Sequence, residues 1–486
     1  MNHVTEKLKP QRVWYHFEEI SKIPHASGNE EKVVEYIIEF SKANNLTCTK
    51  DPAGNVLVVK PPARGFESRP VVVLQAHLDM VPEKNEESDH DFSKDPIALV
   101  IEGGWLKAKD TTLGADNGIG VAAMLTMLED KSLRAGKIEC LFTVGEETGL
   151  DGALALSPEL LEGRLLVNLD TEEIGAIYIG CAGGRDSLLE LPLKMKETVP
   201  GQKGIKVGVR GLLGGHSGVD IQKGRGNAVK LITRMLKRLE KKLRYNIVSF
   251  EGGDKLNAIP REAFCTIAVK DDSLVPAKEL LSKLFSDIKN EYAETDGNLS
   301  FRAEECPLSA ELYDEPSTRI ITDLLMMLPH GVISMSPVIE GLVETSSNLA
   351  SVKTEGETLR VGTNQRSSVG SALEWMSDAH LSIARVCGAH IEQPPGYPGW
   401  NPDPASKLLQ KTKAAYKRVT GEEAEAKALH AGLECGIIKE KYEGMDVISL
   451  GPTVEGGHSP YERVGIKSVE TFWEILLATF EEIYSG

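Results

Sequence analysis

Unbroken apolar runs, rather than alternation of apolar and polar positions, mark the two ends of the chain. Residues 71–80 read Val-Val-Val-Leu-Gln-Ala-His-Leu-Asp-Met, and 137–144 and 164–170 have the same form. Runs of this kind predict strands buried on both faces, as in a parallel sheet. Residues 13–44 show helical spacing in two pieces broken at 23–28, with Val33, Val34, Ile37, Ile38 and Phe40 as the apolar stripe of the second. Val56 to Val59 predicts a further strand, and the almost wholly apolar 121–128 a helix inside the domain.

The pattern changes after Cys181-Ala182-Gly183-Gly184. Strand patterns at 205–210, 247–250, 263–269 and 299–303 are interspersed with two amphipathic helices, one carrying Val229, Ile232, Leu236 and Leu239, the other Leu281, Leu284, Phe285 and Ile288. A second series, of αβββαβ form, runs from 318 to 391. Element order therefore predicts an inserted α+β domain of two related halves. From Trp400 the first pattern returns, with helices at 407–418 and 471–483 around a strand at 446–450. The expected fold is α/β: a domain with a mainly parallel mixed sheet flanked by helices, from residues 1–184 and 401–486, and the insertion at 185–400. Two domains also suit a chain of 486 residues.

Composition narrows the partners. The 41% hydrophobic and 26% charged shares are those of an ordinary globular protein. A net charge of −17 should repel phosphate backbones and anionic membranes, so no nucleic-acid partner is expected. Seven scattered cysteines without a CxxC pair suit reduced thiols. With no apolar signal-peptide core and no apolar run near about eighteen residues, a cytoplasmic protein without a membrane span is expected.

The apolar strands end in ionisable residues: His77 and Asp79, Glu146 and Glu147, and Asp170. Asp116 opens the buried helix, and His458 follows the strand at 446–450. Singly, each has a plainer explanation: a solvated strand end, a helix N-cap, a loop histidine. Ligands of open α/β sheets bind outside the carboxyl ends of the strands, so one site collecting all of them is the economical reading. Two imidazoles and three carboxylates (His77, Asp116, Glu147, Asp170, His458) suit zinc, cobalt or manganese rather than calcium. They are too many for one tetrahedral ion with an open position. With a bridging carboxylate they suit two metals about 3.5–4 Å apart. Glu146, beside a ligand but not needed as one, is the candidate general base, and Asp79 is placed to orient His77.

Five motifs carry a resemblance: His77-Leu78-Asp79, Gly114-Ala115-Asp116-Asn117-Gly118, Glu146-Glu147-Thr148-Gly149, Asn168-Leu169-Asp170-Thr171-Glu172-Glu173 and Gly457-His458-Ser459-Pro460. Their order and form resemble the dinuclear zinc peptidases that include carboxypeptidase G2, peptidase T and the carnosinases, and within them the aminoacyl-histidine dipeptidase branch. The resemblance implies that His77 and Asp170 bind one metal, Glu147 and His458 the other, and that Asp116 bridges. It implies a lid in the inserted domain, with His216 polarising the scissile carbonyl, Asn257 and Arg366 holding the substrate's carboxylate, and Gly432 lining the pocket. The activity implied is cytosolic, metal-dependent hydrolysis of unblocked dipeptides, with a preference for C-terminal histidine as in β-alanyl-histidine. The alternative is a related amidohydrolase or tripeptidase acting on N-acylated amino acids or short peptides. A binding protein that has lost catalysis is a third class, and retention of Glu146 argues against it. The family implies a homodimer. A lid of doubled length implies instead that its second half replaces a partner's lid and that His216 acts within its own chain.

Overall fold

The apolar runs lie side by side. Val72–His77 is parallel to Ile138–Thr143 on one side and to Leu165–Asn168 on the other, and Asp446–Ser449 extends the parallel set. Every residue of Val72–His77 and Ile138–Thr143 is buried, which is why neither alternates. Antiparallel pairing flanks this centre. Val56–Lys60 and then Thr47–Lys50 join at one margin, and Ala176–Cys181 and Glu425–Leu429 complete eight strands at the other. Thr47–Lys50 is mostly exposed and too polar to stand out in the sequence. The helix Ala115–Glu129 is buried along nearly its whole length and packs against Gln11–Ser21, while Lys407–Thr420 and Ile466–Tyr484 pack together.

The structure, a computed structural model, describes residues 4–485. The chain divides into two units: Met1–Cys181 with Trp400–Ala428 and Leu433–Gly486, and Ala182–Gly399 with Leu429–Gly432. The boundary falls before Ala182 because Ala176–Cys181 belongs to the first sheet and Gly183–Pro192 to the second. Among the described residues no helix is long and apolar enough to cross a membrane, and all seven cysteines are free thiols.

The inserted unit is built on one antiparallel sheet in the order Ser300–Cys306, Gln202–Arg210, Ala263–Lys270, Asn246–Gly252, Val343–Glu355, Thr358–Ser367, Gly183–Pro192 and His390–Glu392. The first four strands, with helices Ala228–Leu239 and Leu274–Glu291, form a βαββαβ set. The last four, with Glu315–Met327 and Gly370–Cys387, form another whose strands lie in mirrored order. The second set has its own first strand, Gly183–Pro192, before the first set begins, so one half is nested inside the other. That nesting is why the sequence shows the second series starting on a helix. A continuous core joins the halves, from Ile205, Ile232 and Phe250 to Leu324, Leu349 and Val361.

Candidate functional site

The strand ends bring the predicted ligands together. His77 Nε2 lies 3.0 Å from Asp116 Oδ1 and 3.2 Å from Asp170 Oδ1. His458 Nε2 lies 3.3 Å from Asp116 Oδ2 and 3.0 Å from Glu147 Oε1. Two triads result, His77–Asp116–Asp170 and Asp116–Glu147–His458, each with ligand atoms within 4.8 Å of one another, and Asp116 presents one oxygen to each. Glu146 forms a further group with His77 and Glu147. Glu147 Oε1 is buried, with His458 Nε2 at 3.0 Å beside it. Buried carboxylates crowded around two imidazoles are costly unless a cation takes them up, and the donor set is the one a divalent metal needs.

Neighbouring groups hold the ligands. His77 Nδ1 is 3.0 Å from the main-chain carbonyl of Asp79 and 3.5 Å from its carboxylate, so the orienting hydrogen bond comes chiefly from the carbonyl. The Asp79 carboxylate accepts from the amides of Glu146 (3.1 Å) and Glu147 (3.2 Å) and from Ser27 Oγ (2.8 Å). It thereby pins the helical turn Glu146–Gly149 that carries the candidate base and one candidate ligand. Asn117 Nδ2 donates to Asp170 Oδ1 at 2.6 Å. Gly114, at φ +73°, curls the chain into Asp116, and a Cβ there would lie 2.9 Å from Met80 Sδ. Sequence reasoning missed Glu462. Its buried carboxylate accepts from the amides of Leu113, Gly114 and Ala115 at 2.7, 3.0 and 2.8 Å. No sequence pattern marks that role, because the donors are main-chain groups.

Crowded negative charge shapes the protonation of the centre. Hydrogen bonds to Asp116 and Glu147 raise His458 to about 11. Burial, with Asp116 and Glu147 nearby, pushes Asp170 up to about 7. Burial, reinforced by Asp170, Glu434 and Glu147, holds the Glu146 carboxyl well above the usual carboxylate range. Asp79, despite burial, is held at about 2 by His77, Ser27 and the Glu146 amide. Carboxylates that draw protons in this way are those a cation would relieve.

The inserted unit gathers a second cluster. His216 sits in the short strand Gly215–His216, paired with Ala258 beside the exposed Asn257, whose carbonyl accepts from the Ser217 amide at 2.8 Å. Arg366 is 5% exposed, and its guanidinium donates to Ser217 Oγ (3.3 Å) and Tyr397 OH (3.0 Å). It forms no ion pair among the described residues. Gly432 meets the Tyr397 ring so closely that a Cβ would stand 2.7 Å from it. His430 Nε2 is 2.7 Å from Ser346 Oγ. His216 Nδ1 accepts from the amides of Gly218 (3.1 Å) and Val219 (3.3 Å), so in the neutral ring the proton sits on Nε2. Burial and Arg366 pull His216 below its ordinary value, which favours that neutral form.

The model of the family described as Peptidase family M20/M25/M40 matches residues 73–482, a stretch that holds every candidate residue above. The chain belongs to peptidase family M20/M25/M40. As an M20 protein it is a metallopeptidase, and its relatives extend over its whole length. The cytosol non-specific dipeptidase of Escherichia coli (strain K12) is 41% identical over 477 residues, 98% of either chain. The crystal structure of aminoacylhistidine dipeptidase from Vibrio alginolyticus is 40% identical, with a TM-score of 0.92 over 98% of this chain and 97% of that one. The aminopeptidase PepT from Bacillus cereus, 16% identical with a TM-score of 0.57 over 98% of this chain and 99% of that one, shares the M20 fold.

Proposed function

We propose that the protein is a cytosolic dipeptidase that holds two divalent cations, zinc first and cobalt or manganese as substitutes, and hydrolyses unblocked dipeptides with a preference for C-terminal histidine. The observation that carries this reading is Asp116, one oxygen of which lies beside His77 and the other beside His458. That is the arrangement a carboxylate needs to serve two metals. The cations, when bound, supply a Lewis acid for the scissile carbonyl and a water of lowered pKa.

The remaining chemistry belongs to the chain. Glu146, grouped with His77 and Glu147 but not needed as a ligand, takes a proton from the water and passes it to the leaving amine. His216, neutral with its proton on Nε2, donates to the oxygen that becomes negative. Arg366 offers a planar fork to the substrate's carboxylate, and its burial without a counter-ion among the described residues makes that anion a favourable partner. Asn257 borders the same cluster, and Gly432 leaves room for the Tyr397 ring that steadies Arg366. The two nested βαββαβ halves support a lid complete within one chain, with His216 acting in its own subunit rather than across a homodimer.

The histidine preference rests on the Vibrio relative, whereas the E. coli relative is named non-specific. Hydrolysis of β-alanyl-histidine, glycyl-histidine, glycyl-leucine, an N-acetylated amino acid and a tripeptide, before and after chelation and zinc or manganese return, tests the reading. The expected outcome is metal-restored cleavage confined to free dipeptides and fastest with C-terminal histidine. Equal rates on glycyl-leucine would remove the histidine preference alone. Cleavage mainly of the acetylated compound or of the tripeptide would replace the dipeptidase reading.

A further inference from the structure

The two loops that bring Asp116 and His458 to one point share a single anchor. Glu462 is 3% exposed. Its Oε2 accepts from the amides of Leu113 (2.7 Å) and Gly114 (3.0 Å), and its Oε1 from those of Ala115 (2.8 Å) and Asp116 (3.4 Å). Four successive main-chain donors close on one carboxylate, and no lysine or arginine pairs with it among the described residues. Successive amides of this kind form a concave anion site, here filled from within the protein. What the carboxylate fixes is the curl at Gly114 that delivers Asp116.

The same residue governs the other loop. Glu462 stands four positions beyond His458, its amide donates to Ser459 O at 3.0 Å, and Val464 after it pairs with Leu106 in a neighbouring strand. His458 needs that support. It is 54% exposed in its side chain, holds a left-handed backbone at φ +59°, and its Nδ1 has no hydrogen-bond partner among the described residues, whereas His77 Nδ1 rests on the Asp79 carbonyl. One ligand is thus held by its own neighbours and the other by its loop.

We infer that Glu462 is a positioning residue for the second metal: by binding the 113–116 amides it holds Asp116 and His458 in register, and so sets the affinity of the Asp116–Glu147–His458 position. This inference rests on the two-metal reading above. Glu462→Gln tests it directly, because the amide would turn an NH2 donor toward two amide donors and leave them unpaired.

The experiment is a zinc titration of metal-free, full-length protein against a chromogenic chelator, with kcat and KM recorded at limiting and excess zinc. Wild type should take up two equivalents. In Glu462→Gln the second should bind at least about tenfold more weakly, the scale of loss when a metal ligand's supporting partner is removed, while the first changes less than about threefold. Activity should fall in kcat at limiting zinc, recover with excess, and leave KM unchanged. Glu462→Asp, which keeps both acceptors on a shorter stem, should lie between the two. Unchanged affinity for both equivalents would overturn the inference, as would an equal loss at both positions accompanied by a lower Tm of the metal-free protein, since that is what a purely structural role produces. If Glu462→Gln does not fold, the Asp variant decides by the same criterion. Fewer than two equivalents in wild type would instead sink the two-metal reading itself.

Discussion

The metal centre and the cluster around Arg366 are opposites in charge. In the first, Asp79, Asp116, Glu146, Glu147 and Asp170 outnumber His77 and His458, and the surplus draws protons onto His458 and Asp170. In the second, a buried guanidinium donates to Ser217 and Tyr397 and has no carboxylate partner among the described residues, and burial, followed by this cation, depresses His216 and His430. Neither set closes its own charge balance, and a buried imbalance is destabilising unless something from outside completes it. On the reading proposed above, divalent cations would complete the one and the carboxylate of a short peptide the other.

The sharpest test of the comparison separates holding metal from using it. Glu146→Gln removes the proposed base while leaving all five proposed ligands, so metal uptake should stay at two equivalents as kcat falls by about 10²–10⁴-fold, the range for a positioned proton-transfer group. Metal content by emission spectroscopy alongside kcat checks this. Loss of metal with loss of activity would mean that Glu146 serves as a ligand.

Arg366→Met should have the next largest effect. Hydrogen bonds to a charged group contribute about 1.5–3 kcal/mol, so kcat/KM on free dipeptides should fall by about 10–150-fold. The same dipeptides carrying a C-terminal amide should be poor substrates for wild type and no poorer for the variant. Arg366→Lys keeps the charge without the fork and should recover only part of the loss. An equal fall on acids and amides would mean that Arg366 supports the fold rather than reading the carboxylate.

The two regions also differed in how far sequence alone could reach them. His77, Glu147 and Asp170 lie at or within a few residues of the ends of apolar strands and Asp116 at the start of a buried helix, and the parallel pairing of the strands brings their ends together, so a list of strand ends is already close to a list of candidate ligands, with His458 on a longer loop after Asp446–Ser449. The inserted cluster has no such rule. His216, Arg366, Tyr397 and Gly432 come from a short two-residue strand, the end of a long strand, a loop and a four-residue return into the inserted unit, and only the nested topology assembles them. His216, Arg366 and Gly432 were reached by resemblance, and Tyr397 not at all. Within the metal centre the same limit reappears wherever a side chain meets main chain. The i, i+2 spacing of His77 and Asp79 anticipated a link, but which oxygen of Asp79 faces the imidazole and which atoms take the Glu146 and Glu147 amides depend on backbone paths. Glu462 is hidden for the same reason.

The smallest predicted effect concerns pH and distinguishes the regions by sign. His430 is 5% exposed, and burial, followed by Arg366 and His216, depresses it to about 3 from its ordinary 6.5. Because the folded state resists protonation that the unfolded chain accepts, the stabilising contribution is complete above 6.5 and is lost as pH falls from there toward 3, by up to about 1.4 kcal/mol per pH unit for this one group. His458 runs the other way in the metal-free protein. Raised by Asp116 and Glu147, it contributes stability that is present below 6.5 and lost as pH rises toward about 11. Urea unfolding of chelator-treated protein at pH 7, 6 and 5 reads the acid side, and His430→Gln should flatten the decline by about one proton's worth while leaving the alkaline side as in wild type. The same slope in variant and wild type would show that His430 is not held neutral by the Arg366 cluster, and the contrast in charge between the two regions would then rest on Arg366 alone.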